Sequence, residues 1–151
     1  MDKPLRLIEF EAMLLGRHSH LNAHRPRSAG WQLDRSAYVL LTRIRMDGPM
    51  SISQLSDAFG LDASTLNRQT AAMLRAGVVE RIADPDGGIA RKFRITEEGE
   101  RRLDNDRAFN VQGLERVLEH WTPDEVAEFA AVLERFNRDV ERIDGRPWPR
   151  P

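Results

Sequence analysis

Leu5, Ile8, Ala12 and Leu15 recur at three- and four-residue intervals, which is the spacing of one apolar helical face, and predict a first helix reaching to about Leu21. Asn22 to Gln32 breaks that period with Pro26 and Gly30 and reads as a loop. Behind Asp34, a residue able to cap a helix start, Ala37, Tyr38, Leu40, Leu41 and Ile44 form a broad apolar face that Asp47-Gly48-Pro49 ends. Ser51 and Gln54 then have capping-box spacing, in which each side chain satisfies a backbone donor of the other, and predict a helix from Ile52 to Phe59. Gly60 suits a left-handed helix end, and Asp62 supplies a new cap for a helix from Ala63 to about Ala76, stopped by Gly77. Here the period changes. Val78 to Ala83 and Ala90 to Thr96 read as strands around the turn Asp84-Pro85-Asp86-Gly87-Gly88. Thr96, Glu97 and Glu98 favour the positive end of a helix dipole and open a long helix to about Trp121, with Leu103, Val111, Leu114, Val117 and Leu118 on its apolar side. Thr122-Pro123-Asp124-Glu125 restarts a last helix, striped by Val126, Phe129, Ala130, Leu133, Phe136, Val140 and Ile143 and ended by Asp144-Gly145.

Two capped helices joined through Gly60 and Asp62 must cross steeply, and a glycine-tipped hairpin follows them. That order predicts a winged helix-turn-helix, a mainly α fold with a small β-hairpin wing (α+β). The expected organisation is an N-terminal dimerisation helix and loop over residues 1–33, a winged lobe over 34–99, C-terminal dimerisation helices over 100–145 and a disordered tail over 146–151. The outer helices are all amphipathic, and a chain of 151 residues has too little material to cover every stripe. Pairing across a two-fold axis covers them and matches the symmetry of DNA operators, so a homodimer is expected over an intramolecular bundle.

Composition changes this picture only locally. The net charge is −1, but residues 103–145 carry five bases and eleven acids, whereas residues 51–102 are balanced at eight and eight. Within that balanced segment Arg68, Arg75 and Arg81 lie on or just after the second helix of the motif, and Arg91, Lys92 and Arg94 cluster in the wing. The absence of cysteine excludes disulfides, thiol switches and thiolate metal sites, and agrees with a cytoplasmic protein. Charges interrupt the apolar residues of the N-terminus, so neither a secretory segment nor a membrane span is expected there.

A helical wheel of residues 63–76 sets Leu66, Thr70, Met73, Leu74 and Gly77 on the core side. Ser64, Arg68 and Arg75 fall opposite, with Ala71 and Ala72 between and Thr65 and Gln69 on the flank. Small alanines let such a face approach a groove, and Arg68 can offer two parallel hydrogen bonds to a guanine edge. Ser64 and Thr65, beside helix N-terminal amides, suit phosphate or base contacts, and Arg75 suits backbone phosphate. Double-stranded DNA is the expected partner.

The arrangement resembles that of the MarR family of transcriptional regulators over essentially the whole chain, through LDRSAYVLLTRI, STLNRQTAAMLRAGVVER and RITEEG. The resemblance implies a dimer built by the terminal helices, a recognition helix in each major groove contacting DNA through Ser64, Thr65, Arg68 and Gln69, and a wing in the adjacent minor groove. One departure stands out. Where the family's wing has Asp-x-Arg, this chain has Gly87-Gly88-Ile89. Wing contacts then fall to Arg91, Lys92 or Arg94, with Lys92 and Arg94 favoured because strand alternation turns Phe93 and Ile95 the other way.

Catalysis is not expected, since neither a Gly-x-Ser-x-Gly elbow nor a phosphate-binding glycine loop is present, and no cofactor is implied. His18 and His20 differ by two positions and point to different sides of a helix, and His24 and His120 lie elsewhere, so ordinary exposed histidines are expected over a metal site. Family members often bind small amphipathic or phenolic effectors between the dimerisation helices and the lobe, and Trp31, Tyr38 and Phe109 are the candidates to line such a cleft. The rival reading is a winged-helix protein-interaction module, or an anti-activator, without DNA.

Overall fold

The computed structural model describes residues 3–18 and 30–151. Its elements in chain order are α1 (Leu5–Leu15), α2 (Arg35–Asp47), α3 (Ile52–Phe59), α4 (Ala63–Arg75), β1 (Val79–Ile82), β2 (Lys92–Ile95), α5 (Glu97–Val117) and α6 (Pro123–Asp144). Among the described residues this is a set of helices around one antiparallel hairpin, the winged helix-turn-helix expected of the sequence.

Local chemistry places most boundaries. Ser51 Oγ accepts the Gln54 amide at 3.2 Å while Gln54 Oε1 accepts the Ser51 amide at 3.0 Å, closing the capping box of α3. Gly60 sits left-handed at φ +64°, ending α3, and Asp62 caps α4 by accepting the Thr65 amide at 2.7 Å. Thr122 and Glu125 close a second capping box at the start of α6. The preceding helix therefore stops at Val117 instead of about Trp121, because Thr122 and Pro123 begin a new helix and residues 118–121 are needed to turn the chain. At the other end α1 stops at Leu15, and the sequence expectations for residues 19–29, including His20, His24 and most of the predicted loop, lie outside the described residues.

Leu40, Leu41 and Ile44 of α2, Leu55 of α3, Leu66 and Met73 of α4, Val78, Val79, Phe93 and Leu103 form one buried cluster. Each fully buried side chain of this size stabilises the lobe by about 1.5–3 kcal/mol. The wing is tied to this core by a bridge invisible to local pattern. Met50, between α2 and α3, exchanges both backbone hydrogen bonds with Phe93, at 3.2 and 2.8 Å, and so acts as a third strand position. At the far side Gly99 lets α5 approach the residue before β1, since a Cβ there would overlap the Val78 carbonyl oxygen. The segment before α2 is held by Asp106, wholly buried on α5, whose carboxylate accepts the Gln32 and Leu33 amides at 2.8 and 2.9 Å.

The outer helices behave differently. No residue of α1 or α6 is buried, and Leu5, Leu7, Phe10, Phe129, Leu133 and Phe136 all stand exposed. The tail corrects an expectation: residues 146–151 are not loose but folded back, with Trp148 against Phe59 and Arg150 paired to Glu141, because one indole and one guanidinium find partners that a six-residue composition does not reveal. Among the described residues no helix is long and apolar enough to cross a membrane.

Candidate nucleic-acid interface

α4 buries Leu66, Thr70 and Met73 and turns Ser64, Arg68, Ala72 and Arg75 to solvent, with Thr65, Gln69 and Ala71 half-buried along its edges. Thr70 is tolerable in the core because its hydroxyl donates to the Leu66 carbonyl at 2.7 Å. Gly77, expected on the core side with Leu66, is exposed instead, since the helix has ended by then and the wheel no longer applies. Among the described residues Arg68 makes a long 3.5 Å contact to Thr65 Oγ1 and a charge interaction with Asp62, so its guanidinium keeps most of its donors for another acceptor.

The start of α4 carries the cap expected at Asp62. Asp62 takes the Thr65 amide and also accepts from the Ser64 hydroxyl at 2.8 Å. These contacts, led by the Thr65 amide, hold the Asp62 carboxyl down to about 2, so an anion already occupies the helix start. Ser64 and Thr65 remain on the exposed end of the helix, as acceptors more than as donors.

The wing separates its cations. Register sets Glu80 opposite Arg94, and Arg94 Nε donates to Glu80 Oε1 at 2.8 Å, with both side chains about half exposed (53% and 48%). Lys92, by contrast, is buried, its Nζ 3.3 Å from Asp84 Oδ1 with 11% and 14% of the two side chains exposed. Lys92, expected as a wing contact, is thus paired within the wing, because the turn folds the Asp84 carboxylate back over the strand. The Asp84 carboxyl is itself held low, first by the Asp86 amide and then by Lys92. Arg91 is exposed, Arg81 lies over the Phe93 ring at 5.6 Å, and Ile89 stands fully exposed at the tip where the long cation is missing.

Two cations escaped sequence reasoning. Arg35 and Arg102 line a cleft of about 370 Å³ together with Arg68, Gln69, Ala72 and Met73, between the start of α2 and α4. Arg35 directly follows the capping Asp34, which is a legible position; Arg102 reaches the cleft only because α5 packs on α2, and it also pairs with Glu98 at 2.8 Å. Arg101 and Arg102 together hold the Glu98 carboxyl down to about 2.

Of the aromatic trio, Trp31 and Phe109 meet each other and Tyr38 lies against the main core. Trp31 is buried, donates from Nε1 to Asn110 Oδ1 at 2.8 Å and meets Phe109 edge-on at 4.8 Å, so the two rings fill each other's space. Tyr38 is half-buried against the main core. No group of three or more potential metal ligands occurs among the described residues.

Comparison with known proteins agrees with this geometry. Residues 33–87 match the model of the MarR family. The chain is 33% identical over 138 residues to the uncharacterized HTH-type transcriptional regulator YxaD of Bacillus subtilis (strain 168), covering 91% of this chain and 95% of that one. Its fold is similar to that of a MarR family protein from Bacillus stearothermophilus, with TM-score 0.74 and 22% identity over 93% of this chain and 99% of that one. The apo form of wild-type MarR from E. coli is similar at TM-score 0.66 and 19% identity, over 90% and 98% of the two chains.

Proposed function

Because the chain belongs to the MarR family of transcriptional regulators, we propose that it binds a pseudo-palindromic site on double-stranded DNA as a homodimer and represses transcription from it in the cytoplasm. The observation that carries this reading is the two-sidedness of α4. Its inner face is committed to the core, while Arg68 and Ala72 present a narrow, cationic outer face to solvent. A helix of that shape fits a major groove, where Arg68 reads a guanine edge and Ser64, Thr65 and Gln69 contact flanking bases or phosphates. Arg75 and Arg91 meet backbone phosphate, and Arg94 does so after exchanging Glu80 for it.

The homodimer follows from α1 and α6, whose apolar faces stay exposed within one chain. Two lobes carried on such a dimer read half-sites about one helical turn apart. A small-molecule effector would release the DNA by favouring a lobe spacing that the operator does not match. Selection of bound fragments from the source genome tests the reading directly: recovery of one inverted-repeat sequence supports it, and recovery of random fragments or none sinks it in favour of a protein-binding module.

A further inference from the structure

The chain leaves α6 through Gly145, left-handed at φ +71°, and the last six residues return toward the lobe. Pro147, Pro149 and Pro151 restrict this Arg-Pro-Trp-Pro-Arg-Pro segment to extended conformations, so it spans distance with little entropy left to lose. Its fastenings fall at both ends. On α6, Glu141 accepts the Trp148 amide at 2.6 Å and Arg150 Nη1 at 2.7 Å. On the lobe, the Trp148 indole meets Phe59, the last residue of α3, edge-on at 5.3 Å, and the Arg43 guanidinium of α2 lies over the same indole at 4.9 Å. Arg146 covers the helix-turn-helix corner so closely that a Cβ on Gly60 would meet its guanidinium at 2.7 Å. One segment therefore grips α6, α2, α3 and the turn that aims α4.

We propose that this tail is a strap and that Trp148 is a positioning residue: it fixes the angle between α6 and the helix-turn-helix, and through it the distance between the two recognition helices of the dimer. The inference rests on the reading of α6 as a dimerisation helix and α4 as the DNA-reading helix. α6 buries no residue of its own, so the indole supplies a rigid tie that the helix lacks. An aromatic pair together with a cation–π contact corresponds to a bias on the order of tenfold for the strapped geometry. Trp148 acts on spacing and touches no DNA.

The test uses the full-length protein and duplexes carrying its selected site with the half-site separation changed one base pair at a time. Wild-type protein should favour one spacing sharply. Trp148→Ala should bind that spacing about tenfold more weakly, while its affinity for the other spacings and for random duplex stays within about twofold, so that the profile flattens. Trp148→Phe, which keeps a ring between Phe59 and Arg43, should restore most of the profile, and both variants should keep the mass of a dimer in light scattering. An unchanged profile in Trp148→Ala, equal losses on every duplex, or dissociation into monomers would each overturn the strap. A wild-type protein without any spacing preference would fail the operator reading itself, before a variant is compared, and the strap's role would fall with it.

Discussion

α4 and α6 carry the same kind of sequence, an apolar stripe repeating every three or four residues behind a clean N-cap, and end in opposite situations. α4 lies against α3, α2 and β1 with Leu66 and Met73 buried, whereas α6 leaves Phe129, Leu133, Phe136 and Val140 exposed. Periodicity states that a face needs covering but not what covers it. Within the lobe, Asp62 follows Gly60 so closely that α3 and α4 are forced together, and the bridge from Met50 to Phe93 closes the wing onto the same core. The turn between α5 and α6 sets Trp121 edge-on to Phe129 at 5.6 Å but leaves Leu133, Phe136, Val140 and Ile143 exposed. Contiguous exposed Phe, Leu and Val of this kind mark an interaction surface, and the proposed homodimer would cover it with the matching stripe of a second copy.

The sharpest way to break this contrast is to damage each stripe in turn. Leu133→Glu or Phe136→Glu should abolish the dimer at micromolar concentration while the lobe keeps its core. Leu66→Ala should do the reverse, costing about 2–5 kcal/mol of lobe stability without altering the partner-facing helices. Light scattering and thermal unfolding on the same samples distinguish the two, and a wild-type monomer in the first measurement would end the reading of α6.

Next in size is the outer face of α4. Arg68→Ala should cost roughly 1–3 kcal/mol of operator affinity and relax discrimination at one base pair per half-site. Equal losses on selected and random duplex would make Arg68 a phosphate contact instead.

The wing allows a finer comparison between cations that differ in commitment. Arg91→Ala should lower the log–log salt dependence of binding by about one unit for each phosphate left without its cation, with base preference unchanged. Lys92→Ala should leave that slope alone and lower thermal stability, because Lys92 is already paired with Asp84. A shallower slope for Lys92→Ala would show that the Asp84 pair opens on DNA.

The smallest effect concerns the strap and pH. Arg150, and then the Trp148 amide, hold the Glu141 carboxyl near 2, below its ordinary 4.5. A depressed carboxyl contributes its stability above the unfolded value and loses it as pH falls through the folded one, so the strap should hold throughout pH 5–8 and loosen only between about 4.5 and 2. The fluorescence difference between wild type and Trp148→Phe, followed through an acid titration, reads the indole's release. A transition near pH 6 would mean that another group fastens the tail.

Sequence alone determined whatever is decided within a few residues of itself. The capping box of Ser51 and Gln54, the left-handed Gly60, the cap at Asp62 and the restart at Thr122 are short-range matches between a side chain and the nearest free amides, so they are legible in any context that leaves the helix intact. The two-strand order of the wing and the inner face of α4 followed from period for the same reason. Tertiary structure decided everything that depends on which distant group arrives. Lys92 became buried because the turn returned Asp84 to it, and Arg102 reached the α4 cleft because α5 packed on α2. Trp31 and Phe109 met across 78 positions and filled each other's space. The tail shows the limit most clearly: six residues rich in proline and arginine read as solvent-loving, and only the fold brought Phe59, Arg43 and Glu141 within reach of them. Charge and ring contacts are nonlocal and satisfied by whichever partner the packed core delivers, whereas a helix start must be satisfied by its own neighbours.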